Sequence, residues 1–192
     1  MNTHPGFETD CLRLAALAQA LVTLQAQVQL AASMASDCLQ RGGKLMWCGN
    51  GGSAAECQHL AAELTGRLHS ERRPLAALAL TTDTSALTCI GNDYGFDAVF
   101  ARQVQALGRA GDLLIVLSTS GQSTNVRLAA QVARAQGVAV LGLLGRDGGA
   151  LRALCDVALV VPSHDTARIQ EAHLLIGHHL CAQIERNLGL VA

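Results

Sequence analysis

The order of segment types along the chain constrains its fold more than any other feature of the sequence. Apolar runs alternate with stretches of helical spacing, and glycine or hydroxyl residues stand between them. Continuous apolar runs of this kind are typical of strands that helices cover on both faces. The runs lie at residues 44–48, 75–80, 113–117, 138–144 and 157–161. Strands that alternate with helices in this way predict an α/β fold with a doubly wound, five-stranded parallel sheet.

Helices are predicted wherever apolar residues recur at steps of three and four. They are expected at residues 54–69, 85–90, 125–136 and 166–187. A further long helix precedes the first strand, within residues 1–40, and carries a narrow apolar seam. The seam consists of Leu14, Leu17, Leu21, Leu24, Val28, Ala31 and Ala35. The seam has two alternative roles: it packs on the chain's own sheet, or it pairs with helices of other subunits.

Composition limits the classes of function. Half of the 192 residues are apolar, and the formal net charge is −1. A chain of this length fits one domain, residues 1–192. A net charge near zero gives no positive electrostatic potential that would attract a nucleic-acid backbone. The sequence also lacks a run of basic residues that would bind a membrane surface. Without a secretion-signal pattern or a C-x-x-C pair among the seven cysteines, a cytoplasmic protein with reduced thiols is expected.

Two loops that directly follow predicted strands have the chemistry of an anion site. Residues 49–53 read Gly-Asn-Gly-Gly-Ser, and residues 118–123 read Ser-Thr-Ser-Gly-Gln-Ser. Glycines let backbone amides approach a ligand closely, and helix N-termini present free N–H groups to anions. Neither loop is the lysine-containing loop of triphosphate sites or a complete dinucleotide fingerprint. The pair therefore predicts a compact sugar phosphate as the ligand.

Two helices carry the side chains for proton transfer or metal binding. His59 and Glu63 are four residues apart and therefore share one helix face. The last helix carries Gln170 and His178, eight residues or about 12 Å apart along the axis. Three alternatives remain: both lean toward one ion, they come from different subunits, or one does not bind metal.

Two further histidines of the last helix, His173 and His179, have a different predicted role. At about 100° of rotation per residue, His173 points about 140° away from His178, and His179 about 100° away from it. They are therefore interpreted as packing or surface residues rather than as parts of the site.

Several segments together resemble the sugar isomerase (SIS) domain family, and within it the isomerases of seven-carbon sugar phosphates. They are Gly49-Asn50-Gly51-Gly52-Ser53, His59-x-x-x-Glu63-Leu64-Thr65-Gly66-Arg67, Gly91-Asn92-Asp93, Ser118-Thr119-Ser120-Gly121, Asp147-Gly148-Gly149 and Arg168-Ile169-Gln170-Glu171. The resemblance extends in order from the first strand to His178. It implies interconversion of sedoheptulose 7-phosphate and glycero-manno-heptose 7-phosphate, an early step toward the heptose of lipopolysaccharide, in a homotetramer with sites at subunit interfaces.

The resemblance also implies roles for individual residues. Glu63 and His178 match the acid-base pair. The residues that match the phosphate and sugar contacts, together with Glu63, are Asn50, Gly51, Gly52, Ser53, Asn92, Asp93, Ser118, Thr119, Ser120, Ser123 and Gln170. Some members hold zinc through residues that match His59, Glu63, Gln170 and His178, and one zinc ion per subunit is expected here. These donors are nitrogen and oxygen atoms, which zinc accepts.

One residue departs from the family's pattern, and two other functions are alternatives to the enzyme. Ala167 stands where some members have an aspartate, so no role is assigned to that carboxylate. Residues 162–171 also resemble a non-catalytic SIS protein that binds the replication initiator, and this is the alternative function. A sugar-phosphate-sensing regulator is a third class. Because neither needs Glu63 together with His178, the enzyme is favoured.

Overall fold

The computed structural model describes residues 6–191, which form a five-stranded parallel sheet with helices on both faces. The strands are β1 (Leu45–Gly49), β2 (Ala77–Ala79), β3 (Leu113–Ser118), β4 (Ala139–Gly145) and β5 (Val157–Val161), in the order β2-β1-β3-β4-β5. The predicted α/β fold with a doubly wound parallel sheet is confirmed.

Within the described residues, seven α-helices precede, connect and follow the strands. They are α1 (Phe7–Leu21), α2 (Gln25–Gln40), α3 (Gly52–Thr65), α4 (Thr84–Tyr94), α5 (Val99–Leu107), α6 (Thr124–Ala135) and α7 (Thr166–Asn187). Short 3-10 helices occupy Val22–Leu24, Phe96–Ala98 and Gly149–Leu154. Helices α1, α2, α3 and α7 cover one face of the sheet, and α4, α5 and α6 cover the other.

Two hydrophobic cores arise because successive side chains of a strand point to opposite faces. Leu45 and Trp47 of β1 belong to the core beneath α3 and α7, whereas Met46 and Cys48 belong to the core beneath α5 and α6. Every residue of β1 and β3 is buried. This double burial explains why the strands appear in the sequence as continuous apolar runs.

The boundaries differ from the prediction in several places. Strand β2, an edge strand that pairs with β1 alone in the sheet, has three residues rather than the six of 75–80. Helix α3 begins within the loop at residues 49–53, called the glycine loop from here on, and α4 continues to Tyr94. Helix α5 was not predicted, although Val99, Phe100 and Val104 are buried at helical spacing.

The predicted long N-terminal helix is present, with a 3-10 turn at Val22–Leu24 that divides it into α1 and α2. Its seam is buried toward the end, where Ala31 and Ala35 pack on the core. Within the described residues, Phe7–Gln40 is long and apolar enough to cross a membrane by length and composition, which alone is weak evidence. Many apolar side chains of this segment are exposed, including Leu12 and Val22.

Candidate active site

The first loop closes over the carboxyl end of β1 and leads directly into α3. Ser53 is buried, and Gly51 and Gly52 are exposed. A Cβ atom built on Gly52 would lie 2.2 Å from Nε2 of Gln170, so a side chain there would displace the Gln170 amide. The glycine therefore leaves the space that the Gln170 amide occupies beside the start of α3.

The second loop, residues 118–123 and called the hydroxyl loop from here on, follows β3, the neighbour of β1 in the sheet, and leads into α6. The Gly121 N–H donates to Ser118 Oγ at 3.1 Å, and the Gln122 N–H donates to Ser120 Oγ at 3.2 Å. The hydroxyl oxygens of Ser118 and Ser123 are 3.3 Å apart. The backbone N–H groups bond to the oxygen atoms of Ser118 and Ser120 and do not use their O–H groups, while one hydroxyl of the Ser118–Ser123 pair donates to the other. The loop therefore keeps hydroxyl donors for an anion.

The two loops are connected by a pair of side-chain amides. Asn50 Nδ2 donates to Asn125 Oδ1 at 2.8 Å, and Asn125 Nδ2 donates to Asn50 Oδ1 at 2.9 Å. Asn125 also accepts from the Val126 N–H and is buried. The sequence analysis missed Asn125. Its place in the first turn of the helix after the hydroxyl loop is the signal that marks it, since Asn favours helix starts.

A third loop supports the hydroxyl loop from behind. Gly121 packs against the Gly148–Gly149 backbone, where a Cβ atom on Gly121 would lie 2.0 Å from the Gly148 carbonyl oxygen. The Leu151 N–H also donates to the Gly121 carbonyl oxygen at 3.1 Å. The Asp147-Gly148-Gly149 segment therefore fixes the position of the hydroxyl loop.

Helices α3 and α7 run side by side in the same direction. Gln170 lies against Gly52 at one level, and Gly177 lies against Leu60 at a second level further along both helices. A Cβ atom on Gly177 would be 2.4 Å from Leu60 Cδ1, so the helices are in close contact there. This register brings the polar residues of the two helices together.

The structure brings together three of the predicted metal and acid-base residues. The Nε2 atoms of His59 and His178 are 2.8 Å apart, and His59 Nε2 is 3.3 Å from Glu63 Oε1. One ligand atom from each of the three residues lies within 4.8 Å of the others. Glu63 is largely shielded from solvent, whereas His59 is about half exposed. The cluster is therefore open to a ligand on one side.

Gln170 lies elsewhere in the single chain. Its amide contacts Gly52, at the level of the glycine loop and about 12 Å along α7 from His178 at about 1.5 Å per residue. The amide is thus near the predicted sugar-binding loop. A role for Gln170 as a fourth metal ligand stays a prediction.

Asn92 and Asp93 lie in the last turn of α4, remote from its start beside β2. Both are exposed, and Asn92 Nδ2 donates to Asp93 Oδ1 at 2.7 Å. Among residues 6–191, neither side chain hydrogen-bonds to the glycine loop or to the hydroxyl loop. Their assignment as substrate contacts stays a prediction.

Glu56 is a further titratable residue that the sequence analysis did not single out. It lies one turn before His59 on α3, and burial raises the pKa of its carboxyl group to about 7. Its Oε2 atom is buried and lacks a hydrogen-bond partner in the described part of the chain. A carboxyl group with such a pKa can carry a proton near neutral pH.

His173 and His179 behave as their spacing predicts. His173 is completely buried, and burial lowers its pKa to about 4, partly offset by the nearby Leu144 backbone. Its ring is therefore neutral and packs as an apolar group. His179 is exposed and faces the groove between α7 and the N-terminal helices.

Comparison with known proteins identifies the family of the chain. The SIS domain profile matches residues 13–145. The phosphoheptose isomerase of Aliarcobacter butzleri is 57% identical over 173 residues, which are 90% of this chain and 92% of that protein. The chain belongs to the phosphoheptose isomerases of the SIS domain family.

Solved structures of other members have the same architecture. The phosphoheptose isomerase of Neisseria gonorrhoeae is 49% identical, with a TM-score of 0.89 over 93% of this chain and 96% of that one. The enzyme from Francisella tularensis is 38% identical, with a TM-score of 0.87 over 95% of this chain and all of that one. The predicted enzyme class, an isomerase, is confirmed.

The donor set of the cluster fits a zinc ion. Two imidazole nitrogens and a carboxylate, within 4.8 Å of one another, match the ligands of catalytic zinc sites, which combine three protein ligands with an open position. The two Nε2 atoms lie 2.8 Å apart, at hydrogen-bond distance, with the ring centroids 5.0 Å apart, so in the single chain the two imidazoles point at each other and bring both donor atoms to one place. His59, Glu63 and His178 would therefore hold such an ion.

Proposed function

We propose that this protein interconverts D-sedoheptulose 7-phosphate and D-glycero-D-manno-heptose 7-phosphate through an enediol or enediolate. The observation that carries the proposal is the placement of His59, Glu63 and His178 on the two helices that begin beside the ligand loops. In an open parallel sheet, ligands bind beyond the carboxyl ends of the strands. The chain's membership in a family of phosphoheptose isomerases supports this substrate class.

The phosphate is assigned to the hydroxyl loop. Its donors are the hydroxyl groups of Ser118, Thr119, Ser120 and Ser123, together with the N–H groups at the start of α6. Hydrogen bonds to a charged acceptor are about twice as strong as neutral ones. A phosphate held there would extend the sugar toward the glycine loop, where Asn50, Gly51, Gly52 and Ser53 line its hydroxyl groups.

The proton transfers are assigned to Glu63 and His178. The ketose must lose a proton from C1 and gain one at C2, while a second proton moves from the oxygen on C1 to the oxygen on C2. A carboxylate and an imidazole at the same cluster can divide these tasks as base and acid. A bound zinc ion would polarise the carbonyl oxygen. Asn92, Asp93 and Gln170 are assigned to the sugar, and Gln170 also to the zinc ion.

The proposal includes assembly into a homotetramer whose active sites lie at subunit interfaces. Residues 1–192 form one domain, and the helix within residues 1–40 forms a subunit contact. Large apolar side chains along this helix and α7 support it, including Phe7, Val22, Leu30 and Leu175, all more than half exposed in the single chain. A groove of about 730 Å³ separates the N-terminal helices from α7.

The cellular context follows from the substrate. We propose a cytoplasmic enzyme without nucleic-acid or membrane partners, acting in the first step toward the heptose of the lipopolysaccharide core. The scattered spacing of the seven cysteines, without a C-x-x-C pair, supports a reducing compartment. The near-neutral net charge supports the absence of a nucleic-acid partner.

The test is an NMR or coupled assay of sedoheptulose 7-phosphate with purified protein, with added zinc and with a chelator. Aldoheptose should appear at a catalytic rate in the parent and disappear in Glu63→Gln, because an amide of the same shape cannot accept the proton. Glu71→Gln, an exposed carboxylate outside the site, is the matched control. Substrate binding without turnover in the parent would instead favour the non-catalytic SIS protein that binds the replication initiator.

A further inference from the structure

A buried arginine lies directly behind the cluster, in the segment between α3 and β2. The side chains of Arg72 and Glu185 are each only 1% exposed, and Arg72 Nε donates to Glu185 Oε1 at 2.8 Å. The pair joins the loop after α3 to the last turns of α7. None of the predicted site residues belongs to it.

The guanidinium group of Arg72 also binds the end of α3. Its Nη2 donates to the Glu63 carbonyl oxygen at 2.7 Å, and its Nη1 lies 2.8 Å from the carbonyl oxygens of Leu64 and Gly66. The last carbonyl groups of a helix lack partners within the helix, and a cation there also complements the helix dipole. Arg72 therefore caps the helical turn that carries Glu63.

Glu185 connects this cap to the helix that carries His178. The two residues are seven positions apart on α7 and lie nearly on the same face, about 10 Å apart along the axis. Contacts at Gly52–Gln170 and Leu60–Gly177 define two levels of the α3–α7 register, and the Arg72–Glu185 pair adds a third. The contact between His59 and His178 lies at the second level, since these residues are the chain neighbours of Leu60 and Gly177.

We propose that Arg72 and Glu185 are positioning residues that hold Glu63 and His178 in one geometry. A buried ion pair adds little net stability, because the loss of hydration offsets the attraction. The five carbonyl and carboxylate contacts of Arg72 instead fix where α3 ends relative to α7. The idea rests on the proposed function, since it concerns the same acid-base cluster.

The test compares Arg72→Lys with the parent. Lysine keeps the charge but lacks the planar fork, so it cannot hold Glu185 and the α3 carbonyls together. We expect kcat to fall at least about tenfold with KM changed less than about threefold, because a small displacement of reacting groups costs rate rather than affinity. Glu185→Gln, which keeps the shape and one acceptor, should shift the same quantities less.

A matched control separates positioning from stability. Asp112→Asn removes the charge of another buried side chain. The Asp112 carboxylate accepts hydrogen bonds from Lys44 and lies just before β3, at the opposite end of the sheet from the loops. Assays are run at a temperature where each variant is folded, as judged by its melting curve. We expect Asp112→Asn to lower Tm while leaving kcat unchanged.

A second readout does not depend on turnover. The protein is labelled at histidine 13Cε1, and the signals of His59 and His178 are assigned with His59→Gln and His178→Gln. Arg72→Lys and Glu185→Gln should move both signals, and Asp112→Asn should move neither. Unmoved signals together with kcat within twofold of the parent would overturn the proposal. A parent without isomerase activity would refute the proposed function, and the histidine signals would still decide the role of Arg72.

Discussion

The contact between the hydroxyl loop and the Gly148–Gly149 backbone makes Gly121 the most sensitive small residue of the site. Its φ of +65° lies in the left-handed region, and a Cβ atom would meet the Gly148 carbonyl oxygen at 2.0 Å. We therefore predict that Gly121→Ala is destabilising for two separable reasons. One is the backbone strain of an L residue at positive φ, and the other is the steric clash.

Gly42→Ala isolates the first contribution. Gly42 has a φ of +82°, and a Cβ atom there would meet nothing within 4 Å. The left-handed conformation costs an L residue roughly 1–2 kcal/mol, and the reduced entropy of the unfolded chain returns about 0.4–1 kcal/mol. The net loss expected for Gly42→Ala is about 1 kcal/mol.

Gly121→Ala adds the clash. Overpacking costs about 1–3 kcal/mol, and the upper end applies because the obstacle is backbone rather than a flexible side chain. The total loss is about 3–4 kcal/mol, and in a chain of this length each kcal/mol lowers Tm by about 2–4 °C. Gly42→Ala should therefore melt about 2–4 °C below the parent, and Gly121→Ala about 6–16 °C below it.

Circular dichroism melting curves of the two variants and the parent, at equal protein concentration, measure these differences. The KM of folded Gly121→Ala should also rise, because the displaced loop carries Ser118 and Ser120. Equal Tm values for the two variants would refute the close packing of the two loops. A normal KM in a strongly destabilised Gly121→Ala would separate the loop contact from phosphate binding.

Three further predictions concern single side chains. Ser120→Ala should raise KM for the sugar phosphate about 10–100-fold, from the loss of one charge-assisted hydrogen bond of about 1.5–3 kcal/mol, whereas the exposed Ser85→Ala should not. His178→Gln should weaken zinc binding at least about tenfold in a competition titration, since loss of an outer partner alone costs about 10–100-fold, whereas the exposed neighbour His179→Gln should bind as the parent does. Burial lowers the pKa of His173 from 6.5 to about 4, so the folded state binds this proton less tightly than the unfolded state does. The parent therefore has this contribution to its free energy of unfolding above pH 6.5 and loses it as the pH falls toward 4. His173→Leu should lack this loss. Urea titrations should show about 3 kcal/mol less acid loss in His173→Leu than in the parent, and parallel pH profiles would contradict the assignment.

The sequence by itself determined the sheet and the chemistry of its loops. The chain is apolar throughout residues 45–48 of β1 and 113–117 of β3 because both faces of the strands are covered, so the apolar runs alone reveal these strands. The loops at 49–53 and 118–123 were found for a similar reason, since turn geometry and anion binding restrict which residues occur there. The i, i+4 pair of His59 and Glu63 was equally local.

What the sequence did not determine depends on contacts between distant segments. The two-turn separation of Gln170 and His178 left three alternatives, and only the parallel packing of α3 and α7 placed His178 at His59 and Gln170 at Gly52. Asn125 and Arg72 acquire their roles from partners 75 and 113 positions away along the chain, respectively. Side-chain hydrogen bonds over such separations leave no periodicity in a single sequence. Local patterns therefore fixed the strands and loops, and the docking of α7 on α3 decided which side chains meet.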